Sequence, residues 1–182
     1  MFMIDFVLSN ELVKLGKTFG FEKVFCLDLI DAKDAINLKK KISNADEKGF
    51  VVVNANEKTS RDIFEDSRVD IVVGLENIEG KDNLHYRKSG LDHVLCGLAN
   101  KNKISVGFSF SDVLHAKDKG KVIGRMMQNA MLCKKYKVNA VVASFAKDKY
   151  EMRLRNDLEA FGRVIGIDKF DNTKVFKLKG DR

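Results

Sequence analysis

The sequence predicts an α/β fold, and within that class we favour a compact, TIM-like (β/α) barrel of about seven parallel strands. Short apolar runs alternate with amphipathic helical stretches at a spacing of about 20 to 30 residues. The runs are apolar on both faces, which is typical of parallel strands covered by helices. Parallel strands need crossover helices, which leaves an open doubly wound sheet or a closed barrel. No GxGxxG or GxxxxGK[ST] loop follows a strand, so the main signature of a nucleotide-binding open sheet is missing.

The predicted strands are apolar runs, each preceded or followed by polar turn residues. They cover residues 3–8, 24–29, 50–53, 69–75, 104–110, 138–145 and 163–167. A weaker candidate lies at 84–86. The chain of 182 residues has no proline and no Gly/Ser-rich run that would mark a linker, so we expect a single barrel domain over residues 1–182. The segment after about residue 168 is predicted to be a basic C-terminal tail.

The predicted helices start where a short polar side chain precedes apolar residues at helical spacing. The clearest helix lies in the stretch 87–112, where Ser89 and Asp92 have the spacing of a helix-start box. This helix is predicted to begin near Leu91 and to end before the strand 104–110. Further helices are predicted near residues 11–19, 31–42, 59–64, 118–137 and 156–161. The strand and helix order therefore repeats along the chain.

In a barrel, working groups project from the carboxyl ends of the strands. The polar residues predicted at this mouth are Asn10, Asn54, Glu76, Asn77, Ser109, Ser111 and Ser144. Most are small and neutral, the three histidines show no HxH or HExxH spacing, and no GxSxG turn surrounds a serine. We therefore predict no catalytic residue and no metal ligand in this chain.

Charge is distributed unevenly. The net charge is +7; residues 1–90 carry a net charge of −2 and residues 91–182 a net charge of +9. An excess of Lys and Arg favours a polyanionic partner, although a solvated basic face explains the pattern equally well. The three widely spaced cysteines are expected to be reduced thiols. We expect neither a signal peptide nor a membrane span, and a cytoplasmic location.

Four separated segments resemble the protein component 3 family of archaeal and eukaryotic ribonuclease P. They are DIVVGLE (70–76), RKSGLDHVLCGLANKNKISVGFSFSD (87–112), GRMMQNAMLCKKYKV (124–138) and ASFAKDKYEMR (143–153). The resemblance implies a barrel related to the polymerase-and-histidinol-phosphatase superfamily. Metal-dependent relatives in that superfamily begin with HxH on the first strand, whereas this strand reads MIDFVLS.

The resemblance also implies a function. Such a subunit assists the RNA-catalysed removal of the 5′ leader from precursor tRNA, and it works with ribonuclease P RNA and protein component 2. No cofactor is expected on this chain, while Mg²⁺ is expected on the RNA of the holoenzyme. The candidate RNA contacts are Arg87, Lys88, Arg125, Lys147, Lys149, Arg153 and Arg155.

Three alternatives stay open at this point. In the first, Arg87 pairs with Glu76 inside the barrel mouth and has only a structural role. In the second, the chain is a metal-dependent phosphoesterase with Asp28, Glu76 and His85 as ligands. In the third, the chain is a pure scaffold whose apolar patches bind protein component 2 and never contact RNA.

Overall fold

The computed structural model describes residues 3–31, 35–46 and 49–180. Its strands are β1 (Ile4–Val7), β2 (Lys23–Cys26), β3 (Leu29–Asp31), β4 (Val52–Asn54), β5 (Ile71–Val73), β6 (Ser105–Ser109) and β7 (Ala140–Ala143). Its α-helices are α1 (Ala35–Asp46), α2 (Ser60–Glu65), α3 (His93–Lys101), α4 (Phe110–His115), α5 (Lys119–Tyr136), α6 (Arg155–Val164) and α7 (Lys174–Gly180). Two 3₁₀ helices, Asn10–Leu15 and Leu75–Asn77, follow β1 and β5.

Every strand pair in these ranges is parallel. β1 pairs with β2, and β3 to β7 form a five-stranded sheet in sequence order. Only two residues separate β2 from β3. This stretch of the chain therefore pairs with β1 through β2 and with β4 through β3. Beyond β7, the backbone N–H of Phe145 donates to the Phe6 carbonyl, and the N–H of Leu8 donates to the Ala146 carbonyl, each at 2.8 Å. Strand pairing thus returns to β1, and the predicted compact (β/α) barrel is confirmed.

Two buried side chains hold the seam between β1 and β7. Asn172 donates its amide to the carbonyls of Ile4 at 3.0 Å and Val142 at 2.8 Å, and accepts from the backbone N–H of Val142 at 3.2 Å. Further along the seam, the Asp5 carboxylate accepts from the backbone N–H of Ser144 at 2.7 Å and from its hydroxyl at 2.5 Å. Burial raises the pKa of Asp5 to about 6, although the bonds from Ser144 act in the opposite direction. Between β1 and β7, side-chain hydrogen bonds therefore supply part of the strand pairing that backbone hydrogen bonds supply between the other strands.

The segment predicted as a basic tail contains α7, and this helix packs over the end of the barrel where the strands begin. Val175 is buried with the side chains that fill the barrel interior. The Phe176 ring lies 5.0 Å from the Phe25 ring and 4.7 Å from the Phe50 ring, measured between centroids. Lys179 reaches the buried carboxylate of Asp70 at 3.0 Å. The last segment is thus part of the folded core, because its apolar face has a place to be buried.

Two strand predictions were wrong. Residues 163–167 form the last turn of α6 and the turn after it, where Gly166 has a φ of 94°. Ile165 and Ile167 are buried there against the barrel, and a short apolar run of this kind does not by itself distinguish a strand from the end of a helix. The weaker candidate at 84–86 lies in an irregular loop.

The start of α3 differs from the prediction by two residues. Asp92 is the N-cap, and its carboxylate accepts from the backbone N–H of Leu95 at 2.8 Å. The hydroxyl of Ser89 instead accepts from the Gln128 side chain of α5 at 2.8 Å. A partner distant in sequence therefore decided which of the two polar residues caps the helix.

No helix in the described ranges is both long enough and apolar enough to cross a membrane.

Candidate nucleic-acid interface

The mouth of the barrel is the end at which the strands finish, and all seven polar residues predicted there lie in or just after a strand end. Asn54 is the last residue of β4, and Glu76 and Asn77 lie in the 3₁₀ helix after β5. Ser109 ends β6 and caps α4. The remaining three are Asn10 after β1, Ser111 in α4 and Ser144 after β7. Parallel pairing gathers residues from distant parts of the chain at this end.

Asp112 links the loops that follow β5 and β6. Its carboxylate accepts from the Asn77 amide at 2.9 Å, and its backbone N–H donates to the hydroxyl of Ser109 at 3.1 Å. Burial raises the pKa of Asp112, against the opposing effect of the bonds from Asn77 and Ser109. Sequence reasoning missed Asp112 because it lies in the first turn of a helix. An acidic residue there is ordinarily explained by its favourable interaction with the helix dipole.

Glu76 is a buried acid beside Asp112. Only 1% of its surface is exposed, and its Oε1 has no hydrogen-bond partner among the described residues. Burial raises the pKa of Glu76 to about 8, and the negative charge of Asp112 acts in the same direction. Both effects favour the protonated form of Glu76, and within the described residues its carboxyl group does not pair with Arg87 as the structural alternative required. Arg87 lies instead 3.4 Å from Asp82.

Glu151 joins the loop after β7 to α4. Its carboxylate accepts from the Ser111 hydroxyl at 2.7 Å and from the backbone N–H of Lys147 at 2.6 Å, and it lies 2.5 Å from Nε2 of His115. Burial alone would raise the pKa of Glu151, but these three hydrogen bonds outweigh it and hold the pKa below its ordinary value. Sequence reasoning missed Glu151, because nothing in its neighbourhood distinguishes a buried loop acid from an exposed one.

Asp28, Glu76 and His85 do not come together as a metal site. Asp28 and His85 are exposed, whereas Glu76 is buried. Within the described ranges, no group of three or more His, Cys, Asp or Glu side chains is arranged to hold a metal ion. The predicted ligand set of the phosphoesterase alternative is therefore not assembled.

Four of the predicted basic residues lie on the segment that follows β7. Lys147 and Lys149 are exposed, and the Lys149 ammonium lies 4.9 Å from the centre of the Tyr150 ring. Arg153 donates to the carbonyl of Tyr150 at 2.7 Å, and its guanidinium lies 4.8 Å from the ring centre of Phe110. The segment after β7 therefore places cations and an exposed aromatic ring at the mouth of the barrel.

Arg155, the fourth, begins α6. Its guanidinium bonds the Glu159 carboxylate at 3.1 Å, four residues along the same helix. Its backbone N–H donates to the Phe19 carbonyl at 3.0 Å. Much of its charge is already compensated within the chain, so Arg155 is a weaker candidate than the two lysines.

Arg87 and Lys88 lie in the loop that leads to α3. The Arg87 side chain is 49% exposed, and its guanidinium lies over Gly124 of α5, where an added Cβ would come within 2.5 Å of Cζ. The Lys88 ammonium lies 2.6 Å from the Glu57 carboxylate. Gln128 fixes the backbone of Arg87 by accepting from its N–H and donating to its carbonyl, each at 2.9 Å. The backbone of Arg87 is thus held in place, and about half of its side chain is exposed.

Arg125 was predicted as an RNA contact, but its side chain is buried and only 2% exposed. Its guanidinium donates to the carbonyls of Glu76 at 3.0 Å, Ile78 at 2.6 Å and Gly80 at 2.9 Å, and to the carboxylate of Asp82 at 2.8 Å. Its hydrogen-bonding groups are occupied by the loop that follows β5. We therefore remove Arg125 from the candidate RNA contacts and assign it to holding this loop against α5.

The family model described as RNase P subunit p30 matches residues 25–177. A protein named Ribonuclease P protein component 3 from Methanococcus maripaludis (strain C7) is 28% identical over 162 residues, which cover 87% of this chain and 66% of that protein. A protein of the same name from Methanococcus vannielii is 29% identical over 177 residues, covering 93% of this chain and 73% of the relative. The match thus spans about two thirds of the length of the Methanococcus maripaludis protein.

A chain in the cryo-EM structure of archaeal ribonuclease P with mature tRNA has a similar fold. The TM-score is 0.66 at 21% sequence identity, and the alignment covers 97% of this chain and 77% of the other. The family match includes all four segments that carry the sequence resemblance, and it extends from β2 to α7. The chain therefore belongs to the RNase P subunit p30 family.

Proposed function

We propose that this chain is a protein subunit of ribonuclease P that assists the RNA-catalysed removal of the 5′ leader from precursor tRNA. The family match over residues 25–177 is the observation that carries this proposal. The arrangement of the mouth supports a role without catalysis by this chain, because Asp112 and Glu151 are engaged in hydrogen bonds between loops. Glu76 lies buried beside Asp112.

The proposed contribution of the chain is electrostatic. An RNA that folds compactly brings its phosphates together, and Lys and Arg side chains placed along the backbone reduce that repulsion. At the mouth, the most available cations are Lys147, Lys149 and Arg87, which are exposed. We propose these as contacts to ribonuclease P RNA or precursor tRNA, with Lys88, Arg153 and Arg155 at the edge of the same surface.

We further propose protein component 2 as the protein partner. Exposed apolar side chains close to the Arg87 loop support this part of the proposal: Tyr86 is 64% exposed, and Met127 and Met131 on the outer face of α5 are 49% and 64% exposed. Methionine and tyrosine are enriched in protein–protein interfaces. A scaffold without RNA contact would use the apolar surface alone and leave the exposed lysines without a role.

Reconstitution of precursor-tRNA cleavage tests the proposed function. Ribonuclease P RNA and protein component 2 are assayed over a range of Mg²⁺ concentrations, with this chain added or omitted. We expect the chain to lower the Mg²⁺ concentration needed for half-maximal cleavage, because its cations share the neutralisation of the RNA. Cleavage that does not change when the chain is added would contradict the proposal. Hydrolysis by the chain without RNA would support the phosphoesterase alternative instead.

Arg87 is tested by reversing its charge. In Arg87→Glu, we expect weaker stimulation of cleavage and a shallower dependence of RNA affinity on salt, by about one unit in the log–log slope for each phosphate that residue 87 no longer neutralises. Arg61→Glu is the matched control, because Arg61 is also exposed and, among the described residues, its ion pair is with Glu65, one turn along α2. If the two variants behave alike in both measurements, Arg87 has a structural role and does not contact RNA.

A further inference from the structure

A groove lies at the opposite end of the barrel from the mouth. Its volume is about 860 Å³, and it is bounded by the last turns of α5 on one side and by the segment from Gly166 to α7 on the other. Residues 138–140, which lead into β7, form its floor. This position is separate from the loops that carry Arg87 and Lys147.

The groove is strongly basic. Five lysines line it, namely Lys134, Lys137, Lys169, Lys174 and Lys177. Asp168 and Asp171 are the two acids in the lining, which leaves an excess of three positive charges. All five lysines are exposed. The groove therefore combines a concave shape with a concentrated positive charge.

The lysine charges in the groove are not compensated within the described part of the chain. None of the five ammonium groups forms a hydrogen bond or ion pair there, and the Asp171 carboxylate is occupied by the hydroxyl and the backbone N–H of Thr173. At the mouth, by contrast, Lys88 pairs with Glu57 and Arg155 pairs with Glu159. The groove thus offers more uncompensated positive charge than the site predicted from the sequence.

A set of unpaired lysines along a groove has a definite chemical preference. Like charges repel one another, and the repulsion is relieved when an anion with regularly spaced charges replaces the bound counterions. The ammonium group is a flexible point charge, so it binds phosphates without demanding a fixed geometry or a base sequence. A nucleic-acid backbone carries regularly spaced phosphate charges, and lysines can bind it without reading its base sequence.

We propose that this groove is a second RNA-binding surface, which holds the sugar–phosphate backbone of an RNA strand. The proposal rests on the proposed function and extends it, because the chain would contact RNA at both ends of the barrel. The chain would then bridge two segments of RNA instead of covering a single one. Bridging explains why exposed lysines lie both in the mouth loop after β7 and in the groove at the other end of the barrel.

The test replaces three groove lysines by neutral residues of similar length, in Lys134→Gln/Lys137→Gln/Lys174→Gln. The control, Lys40→Gln/Lys58→Gln/Lys101→Gln, removes the same charge from exposed positions outside the groove. Binding of each protein to ribonuclease P RNA is measured over a range of salt concentrations. We expect the groove variant to lose affinity by on the order of tenfold and its log–log salt slope to fall by about 2 to 3, while the control changes little.

A charge-preserving variant separates loss of charge from loss of structure. We expect the variant Lys134→Arg/Lys137→Arg/Lys174→Arg to bind RNA like the wild type. In chemical footprinting, one RNA segment should become accessible to the reagent only when the glutamine variant is bound. Equal RNA binding by the groove variant and the control would overturn the proposal and leave the proposed function intact. Loss of binding to protein component 2 with RNA affinity unchanged would assign the groove to an acidic protein. A wild-type chain that neither binds RNA nor stimulates cleavage would refute the proposed function as well.

Discussion

Replacement of Arg125 by methionine is expected to lower the free energy of unfolding by about 3 kcal/mol, because each buried carbonyl left without a donor costs about 1 to 3 kcal/mol. The substitution would leave the carbonyls of Glu76 and Ile78 without the Arg125 donor and Asp82 without its shortest ion pair, while the Gly80 carbonyl would keep only its bond from Lys121. Methionine fills a similar volume, so the loss comes from polar groups and not from a cavity. Urea denaturation measures it.

Two further variants make this result interpretable. Arg125→Lys keeps the charge but cannot reproduce a planar group that donates in several directions, so it should lose a large part of the same stability. Arg163→Met is the control, because Arg163 is 62% exposed and forms only a 3.5 Å pair with Glu159; its effect should stay within about 0.5 kcal/mol. If Arg125→Met is no more destabilising than this control, the loop after β5 does not depend on Arg125.

Replacement of Glu76 by glutamine is expected to flatten the dependence of stability on pH. The folded chain keeps the Glu76 proton up to about pH 8, whereas the unfolded chain releases it near the ordinary value of 4.5. Between these values the folded state binds more protons than the unfolded state. The free energy of unfolding should therefore fall as pH rises through this window, by up to about 1.4 kcal/mol per pH unit. Glutamine has the shape of the protonated acid and does not titrate.

The measurement is urea denaturation of both proteins at several pH values from about 5 to 8. Above about pH 6 the wild type should lose stability more steeply than Glu76→Gln. Asp5, whose pKa is about 6, contributes equally to both proteins and cancels in their difference. Glu79→Gln is the control, since Glu79 is exposed in the same loop. Parallel profiles for wild type and Glu76→Gln would show that Glu76 is ionised in the folded chain.

Local signals in the sequence were sufficient for most of the elements. Apolar runs that are buried on both faces were correctly predicted as the strands β1, β4, β5, β6 and β7, because a parallel strand covered on both faces is almost continuously apolar. Helix α5 lies within the predicted range of residues 118–137, and the carboxylate of its N-cap Asp118 accepts from the backbone N–H of Lys121 at 2.9 Å. Such signals involve partners within a few residues, so they are present in the sequence itself.

The candidate site was predicted less completely. The mouth residues were found because they follow strands, but Asp112, His115 and Glu151 were not, since each acquires its role only through contacts with other loops. Arg125 was misjudged for a related reason. A helical arginine among apolar residues has the same pattern whether its guanidinium faces solvent or a loop nearly fifty residues earlier in the chain.

The sequence by itself determined the alternation of strands and helices, the parallel arrangement and the resemblance to the ribonuclease P subunit, because these depend on local composition and on order along the chain. Only the tertiary structure decided how the barrel closes through Asn172 and Asp5, and which acids are buried at the mouth. It also decided that five separated lysines share one groove. Those outcomes depend on distances between residues far apart in the chain, which periodicity and composition do not contain.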